Sequence, residues 1–168
     1  VAVSDRSGPL TAAGLVLGVG LGGFVDGILL HQILQWHNML SSVRPPVDLV
    51  AMKYNMVWDG LFHTLTWITC VVGIALLFRA GRDRRARWTA SLLVGSIVSG
   101  WGLFNLVEGL VDHQLLGLHH VHPGSDQLAW DLGFVLIGGV GLLVLGHLIA
   151  RRRRDAPVLA PDRGADRR

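Results

Sequence analysis

Val25–Met39, VDGILLHQILQWHNM, returns 82 positions later as Val107–Val121, VEGLVDHQLLGLHHV. Six pairs are identical: Val25/Val107, Gly27/Gly109, His31/His113, Gln32/Gln114, Leu34/Leu116 and His37/His119. Asp26 answers Glu108, and most other pairs exchange one apolar residue for another. A shorter echo follows each copy: Asn55, Trp58, Asp59 and Phe62 in NMVWDGLF correspond to Gln127, Trp130, Asp131 and Phe134 in QLAWDLGF. Self-similarity at a fixed offset fixes architecture before residue-level detail does. Here it predicts two tandem copies of one helical hairpin.

The medium follows from composition. The chain is 51% hydrophobic and 16% charged with 22 glycines, and its mean hydropathy is +0.46. That is too apolar for an ordinary soluble domain of 168 residues and indicates a membrane protein. Crossing the hydrocarbon core takes about 20 apolar residues. Four stretches qualify, near Leu10–Leu34, Met56–Phe78, Trp88–Val111 and Leu128–Ala150. The first is too long for a secretory signal and carries Asp26 and His31, so no cleavage is expected. The expected fold is all-α: an integral membrane four-helix bundle built from two pseudo-symmetric hairpins, residues 9–80 and 88–150. An eight-residue N-terminal tail (1–8), an Arg-rich connector (81–87) and a basic, disordered tail (151–168) complete the division.

Charge sets the topology. Arg79, Arg82, Arg84, Arg85 and Arg87 cluster around the connector, and Arg151–Arg154 follow the last span. The loop after the first span holds only Arg44 and Lys53, and the loop after the third holds neither Lys nor Arg. The positive-inside rule places the connector and both termini in the cytoplasm and both repeat turns outside. The basic balance therefore describes topology, and nothing resembles an aromatic-basic nucleic-acid surface. The single cysteine, Cys70, excludes an intramolecular disulfide and a cysteine-based metal site.

This topology gathers the polar residues. Asp26, His31, His37, Glu108, Asp112, His113 and His119 lie toward the outer ends of the first and third helices. Asn55, Asp59, His63 and Asp131 lie near the outer starts of the second and fourth. His147 is the one histidine at the inner end. Ionisable groups at membrane depth are costly and mark functional sites by default. With the first turn centred near Pro45, His31 falls level with Asp59 and Asp26 with His63. His113 and Asp112 fall level with Asp131. One spacing resists a simple site: Asp26–His31 and Glu108–His113 are five apart, about 140° around an ideal α-helix. Either the helices bulge there, or acid and histidine serve different contacts. The second alternative is favoured, with His31 and His113 turned toward Asp59 and Asp131.

Carboxylates beside neutral imidazoles suit a transition metal such as zinc, iron, manganese or copper. The candidate metal-binding set is Asp26, Asp59, His63, Glu108, Asp112 and Asp131, with His119, His120 and His122 guarding the entrance. His31 and His113 orient the set or hold a cofactor, and His37 and Met39 assist from the other turn. Redox, hydrolytic and metal-delivery roles all fit. The competing readings are a polar layer that only fixes helix packing in a structural or assembly partner, a proton pathway, and haem b held between His31 and His113. Trp36, Trp58 and Trp130 read as an interfacial aromatic belt. No G-x-S-x-G nucleophile or phosphate-binding glycine loop occurs.

GFVDGILLHQILQWHNMLS, NMVWDGLFH, GWGLFNLVEGLVDHQLLGLHHVHPG and the following WDLGF resemble the bacterial inner-membrane family catalogued as domain of unknown function 2243. The likeness runs from about Gly14 to Ala150. It implies a small four-span protein of the bacterial plasma membrane. It also implies partnership with a respiratory or cytochrome oxidase assembly complex, which suits a metal role. It transfers no catalytic residue, because none is established for that family.

Overall fold

A computed structural model describes residues 7–83 and 88–152. The N-terminal tail up to residue 6, residues 84–87 of the Arg-rich connector and the tail from residue 153 lie outside the described residues. The described chain is all helical apart from its loops: α1 Gly8–Ile33, α2 Leu49–Arg82, α3 Ala90–Leu115 and α4 Gln127–Ala150, each long and apolar enough to cross a membrane. The starts are chemically marked. Pro9 occupies the first turn of α1, where a missing N–H costs nothing. Asp48 caps α2 by accepting from the Ala51 N–H at 2.8 Å, and Thr89 caps α3 through the Leu92 N–H at 3.2 Å.

The four helices do not share one central axis. α1 and α3 form the middle pair, α2 packs on α1, and α4 packs on α3. Burial follows this order: 44% of the most apolar window of α1 and 33% of that of α3 are buried, against 11% in α2 and in α4. Side chains such as Leu65, Ile137 and Leu148 are left for lipid. Between α1 and α3 the contact is backbone to backbone. Gly18 and Gly100 oppose each other, each backed by the other helix's carbonyl, Ile97 O for Gly18 and Leu15 O for Gly100. Lipid tails are as apolar as leucine, so close approach at small residues, with its dispersion contacts, holds helices together there.

Both central helices change pitch at the same point. α1 is α-helical over Gly8–Asp26 and a π-helix over Gly27–Ile33; α3 is α-helical over Ala90–Glu108 and a π-helix over Gly109–Leu115. Each boundary in α3 is the α1 boundary plus 82. The widened turns continue into the loops, with Leu34 N–H donating to Leu29 O and Leu116 N–H to Val111 O, both at 2.8 Å. α4 carries a π segment of its own, Phe134–Gly141, with no counterpart in α2.

Nothing in the sequence breaks the first helix before Ser41-Ser42, which predicts a helix reaching that pair; the helix stops at Ile33. Gln35 has φ 52°, in the left-handed region, and its counterpart Gly117 has φ 58°. This reversal ends each helix and folds the following loop back over the bundle. Gly117 has nothing within 4 Å of an added Cβ, so Gly117→Ala carries only the backbone cost of a left-handed L-residue, about 1 kcal/mol. Gln35→Gly recovers a similar strain but loosens the unfolded chain, leaving little net change. Thermal unfolding in detergent is expected to show a lower midpoint for Gly117→Ala and an unaltered or slightly raised one for Gln35→Gly.

Candidate metal centre

At the end of the bundle that carries the two interhelix loops, the interior is polar. Of the six largest fully buried side chains, only Leu10 is apolar; the others are His31, His119, Asn55, Asp59 and Asp131. The π turns explain how acid and histidine meet. An i→i+5 turn brings residues five apart onto one face, and His31 Nε2 lies 3.1 Å from Asp26 Oδ2. The other ring nitrogen, Nδ1, lies 3.1 Å from Asp59 Oδ1. The bulge disfavoured from the sequence is therefore present, and His31 faces both acids.

The loops deliver two more imidazoles by a reciprocal exchange. His37 Nδ1 lies 2.8 Å from Val121 O in the second loop, and His119 Nδ1 lies 3.1 Å from Met39 O in the first. The same two residues anchor each loop to its own hairpin: the Met39 N–H donates to Asp59 Oδ1 at 2.8 Å, and the Val121 N–H donates to Asp131 Oδ1 at 3.0 Å. Asn38 Nδ2 donates to Asp59 Oδ2 at 2.8 Å. On the other side His120 Nδ1 is 2.7 Å from Asp131 Oδ2, and Gln114 Nε2 donates to the same oxygen at 3.0 Å. Each aspartate is a hub that pins a loop and a helix together.

What converges inside is a set of six side chains: Asp26, His31, His37, Glu108, His113 and His119. All are buried. His37 and His119 stack with ring centroids 4.6 Å apart, His31 meets His37 edge-on at 4.6 Å, and His113 meets His119 at 4.8 Å. The Nε2 atoms of all four imidazoles, Asp26 Oδ2, and both oxygens of Glu108 are buried without a hydrogen-bond partner. His113 Nδ1 shares that condition, standing 3.5 Å from Asp131 Oδ1. Their donor atoms fall into three triads, His31–His37–His119, Glu108–His113–His119 and Asp26–His31–Glu108, with atoms in each triad within 4.8 Å of one another. Buried polar atoms are normally paired, and each exception requires an explanation.

Residues 13–153 match the family described as predicted membrane protein (DUF2243). The chain belongs to this family. No curated protein and no solved structure matches it.

The DUF2243 chain sorts the residues singled out from the sequence into three positions. Asp26, Glu108, His31, His113 and His119 form the convergent cluster. Asp59 and Asp131 stand behind it, aimed at histidine Nδ1 atoms rather than at the centre. His63, Asp112, His120 and His122 lie outside it. His63 Nδ1 is bound to its own helix at Asp59 O, 2.9 Å away, and Asp112 is half-buried. His119, His120 and His122 part company rather than guarding one entrance: His119 is wholly buried, His120 is held by Asp131, and His122 lies between Trp36 and Trp130. His37 and His119 each contact both His31 and His113. His37, expected only to assist from its turn, belongs to a convergent triad, and its identity with His119 in the repeat is the sequence signal of equal standing. A cavity of about 440 Å³ between the loops, bordered by His37, Gln35, Trp36 and His120, lies over the cluster.

The two loop imidazoles are kept neutral, the form that ligates. Burial, reinforced by the ring of His31, lowers the His37 pKa from 6.5 to about 4. Burial and the neighbouring His37 lower that of His119 to about 3. An unfolded chain protonates both near pH 6.5, whereas the folded one does not. Between about pH 6.5 and pH 4 the unfolded state binds more protons, so the metal-free protein is expected to lose stability as pH falls. The slope is about 1.4 kcal/mol per pH unit for each group. Above pH 6.5 these two groups contribute no slope. Unfolding midpoints between pH 7.5 and 4.5 check this.

Proposed function

We propose that this protein is a metal-binding membrane protein whose ion sits among Asp26, His31, His37, Glu108, His113 and His119. The observation that carries the reading is the state of those donors: four Nε2 atoms, Asp26 Oδ2 and both Glu108 oxygens are buried without a hydrogen bond and face one another across the chamber, while Nδ1 of His31, His37 and His119 is held by Asp59, Val121 O and Met39 O. Ligating histidines characteristically direct the other ring nitrogen at a carboxylate or carbonyl. A polar layer serving helix packing alone would pair its own members, because an unpaired buried polar group costs about 1–3 kcal/mol.

Nitrogen and oxygen donors without sulfur favour zinc, iron, manganese or copper(II). The chemistry open to such an ion is redox, hydrolytic or metal-delivering. The arginine-rich ends of α2 and α4 support a plasma-membrane topology with both termini cytoplasmic; the centre then lies toward the extracytoplasmic face. The shared offset of 82 residues supports reading the hairpins as tandem copies, with equivalent residues brought together across α1 and α3.

Elemental analysis of the detergent-purified protein tests the proposal. At least one equivalent of transition metal per chain is expected, either as isolated or after loading and desalting. A metal-free protein that still takes up none overturns it. An absorption spectrum with a Soret band would transfer the site to haem.

A further inference from the structure

The six donors are too spread for one ion. Two ligands about 2.1 Å from a common metal are at most about 4.2 Å apart. Here the donors form three overlapping triads rather than one convergent six, with His31, His119 and Glu108 each belonging to two of them. One triad, Glu108–His113–His119, consists of two imidazoles and one carboxylate from a single hairpin, a set that holds a divalent ion by itself. On the other side the convergent triad is Asp26, His31 and Glu108, where His31 lies 3.1 Å from Asp26; His37, the 82-residue counterpart of His119, converges instead with His31 and His119.

Charge supplies a second argument. Asp26, Glu108, Asp59 and Asp131 are each no more than 4% exposed. Among the described residues the ion-pair partners of these acids are histidines, with no lysine or arginine. Asp112 adds a fifth acid only at the half-buried margin. Four carboxylates in a low-dielectric interior require compensation. One divalent ion supplies half of it, and two bring the four acids to neutrality with every imidazole uncharged.

We infer that the chamber is a dinuclear site for divalent first-row transition ions, one ion on Glu108, His113 and His119 and the other on Asp26 and His31, with Glu108 shared between them and His37 beside His31 and His119. This rests on the metal-binding reading above and adds the number of ions and their division between the hairpins. Glu108 is placed for sharing because it belongs to a triad on each side. Asp59 and Asp131 hold one histidine of each ion from behind.

Zinc counting on the full-length protein in detergent tests this. The chain is stripped with chelator, loaded with excess Zn²⁺, desalted, and its zinc-to-protein ratio measured. The wild type is expected to retain two zinc ions. His122→Ala/His147→Ala, which removes imidazoles outside the chamber, is expected to retain two as well. His113→Ala/His119→Ala is expected to fall to one or none. One zinc in the wild type overturns the dinuclear inference and leaves the metal reading standing; none removes both. A fall from two to one in the His122→Ala/His147→Ala protein puts the second ion outside the chamber and also overturns the inference. These wild-type counts decide even where the chamber variant fails to fold.

Discussion

Glu108→Leu is expected to raise the unfolding midpoint of the metal-free protein while sharply reducing metal retention. Glu108 is 3% exposed, and both of its carboxylate oxygens are buried without a hydrogen bond, the His119 ring standing 3.6 Å away. It faces the carboxylate of Asp26 across a shared triad. In the absence of metal Glu108 is desolvated without a hydrogen bond in return, and replacing it by an apolar side chain of similar bulk recovers about 1–3 kcal/mol. A shift of several degrees upward is the result to look for, followed by tryptophan fluorescence or by size-exclusion survival after heating. The two rival readings predict opposite signs. If Glu108 serves packing, its removal loosens α1 against α3 and the midpoint falls. Asp59→Asn is the control, because Asp59 already has His31, Asn38 and Met39 as partners. Its replacement disturbs a satisfied hub and frees the orientation of His31. The expected results are a lower midpoint and a loss of metal affinity of about 10–100-fold, the range seen when a partner behind a metal ligand is removed. Stability gained at the centre and lost one layer behind it is the pattern of a site whose strain belongs to its function.

The four spans, the packing of α2 on α1 and of α4 on α3, and the polar end were legible in the sequence because each rests on a pattern with one physical solution. Long apolar runs in lipid must be helices, and residues summing to about 90 around Pro45 brought His31 to Asp59, which the structure joins at 3.1 Å. The π turns were written there too, in the five-residue spacing of Asp26–His31 and Glu108–His113. Against ideal α-helical geometry that spacing points acid and histidine about 140° apart; only a widened turn converts it into a shared face. What could not be read was the loop. Gln35 carries no mark of a left-handed residue, unlike its counterpart Gly117, so the first helix was extended beyond its true end at Ile33. The fold-back of that loop is what carries His37 into the chamber. The division between ligating acids and acids standing behind histidines was also hidden. Asp59 and Asp26 differ only in whether they face the centre or an imidazole Nδ1, and that depends on three-dimensional direction rather than on residue type or depth.

Gly18→Val is expected to separate α1 from α3 and, with them, the two halves of the centre. A Cβ on Gly18 would fall onto the Ile97 carbonyl oxygen and lie 2.8 Å from Gly100 Cα. Both neighbours are backbone, so no rotamer change relieves the clash and the helix axes must move apart. Gly100 meets the same obstruction from Leu15 O and Gly18 Cα, so neither helix can yield in favour of the other. In lipid the contact cannot be replaced by hydrophobic burial, since a separated surface is solvated by acyl chains about as well as by protein. The cost is expected to reach about 3 kcal/mol or more, the upper range for overpacking. Gly60→Val provides the comparison, because an added Cβ there meets nothing within 4 Å and costs only helix propensity. Asp26 and Glu108 lie two turns beyond the crossing on their respective helices, so a small divergence at Gly18 widens the gap between them. Gly18→Val is therefore expected to lose metal at temperatures where the helices themselves persist by circular dichroism, while Gly60→Val keeps both. Loss of metal together with helicity, or retention of metal by the valine variant, would show that the crossing at Gly18 does not set the spacing of the centre.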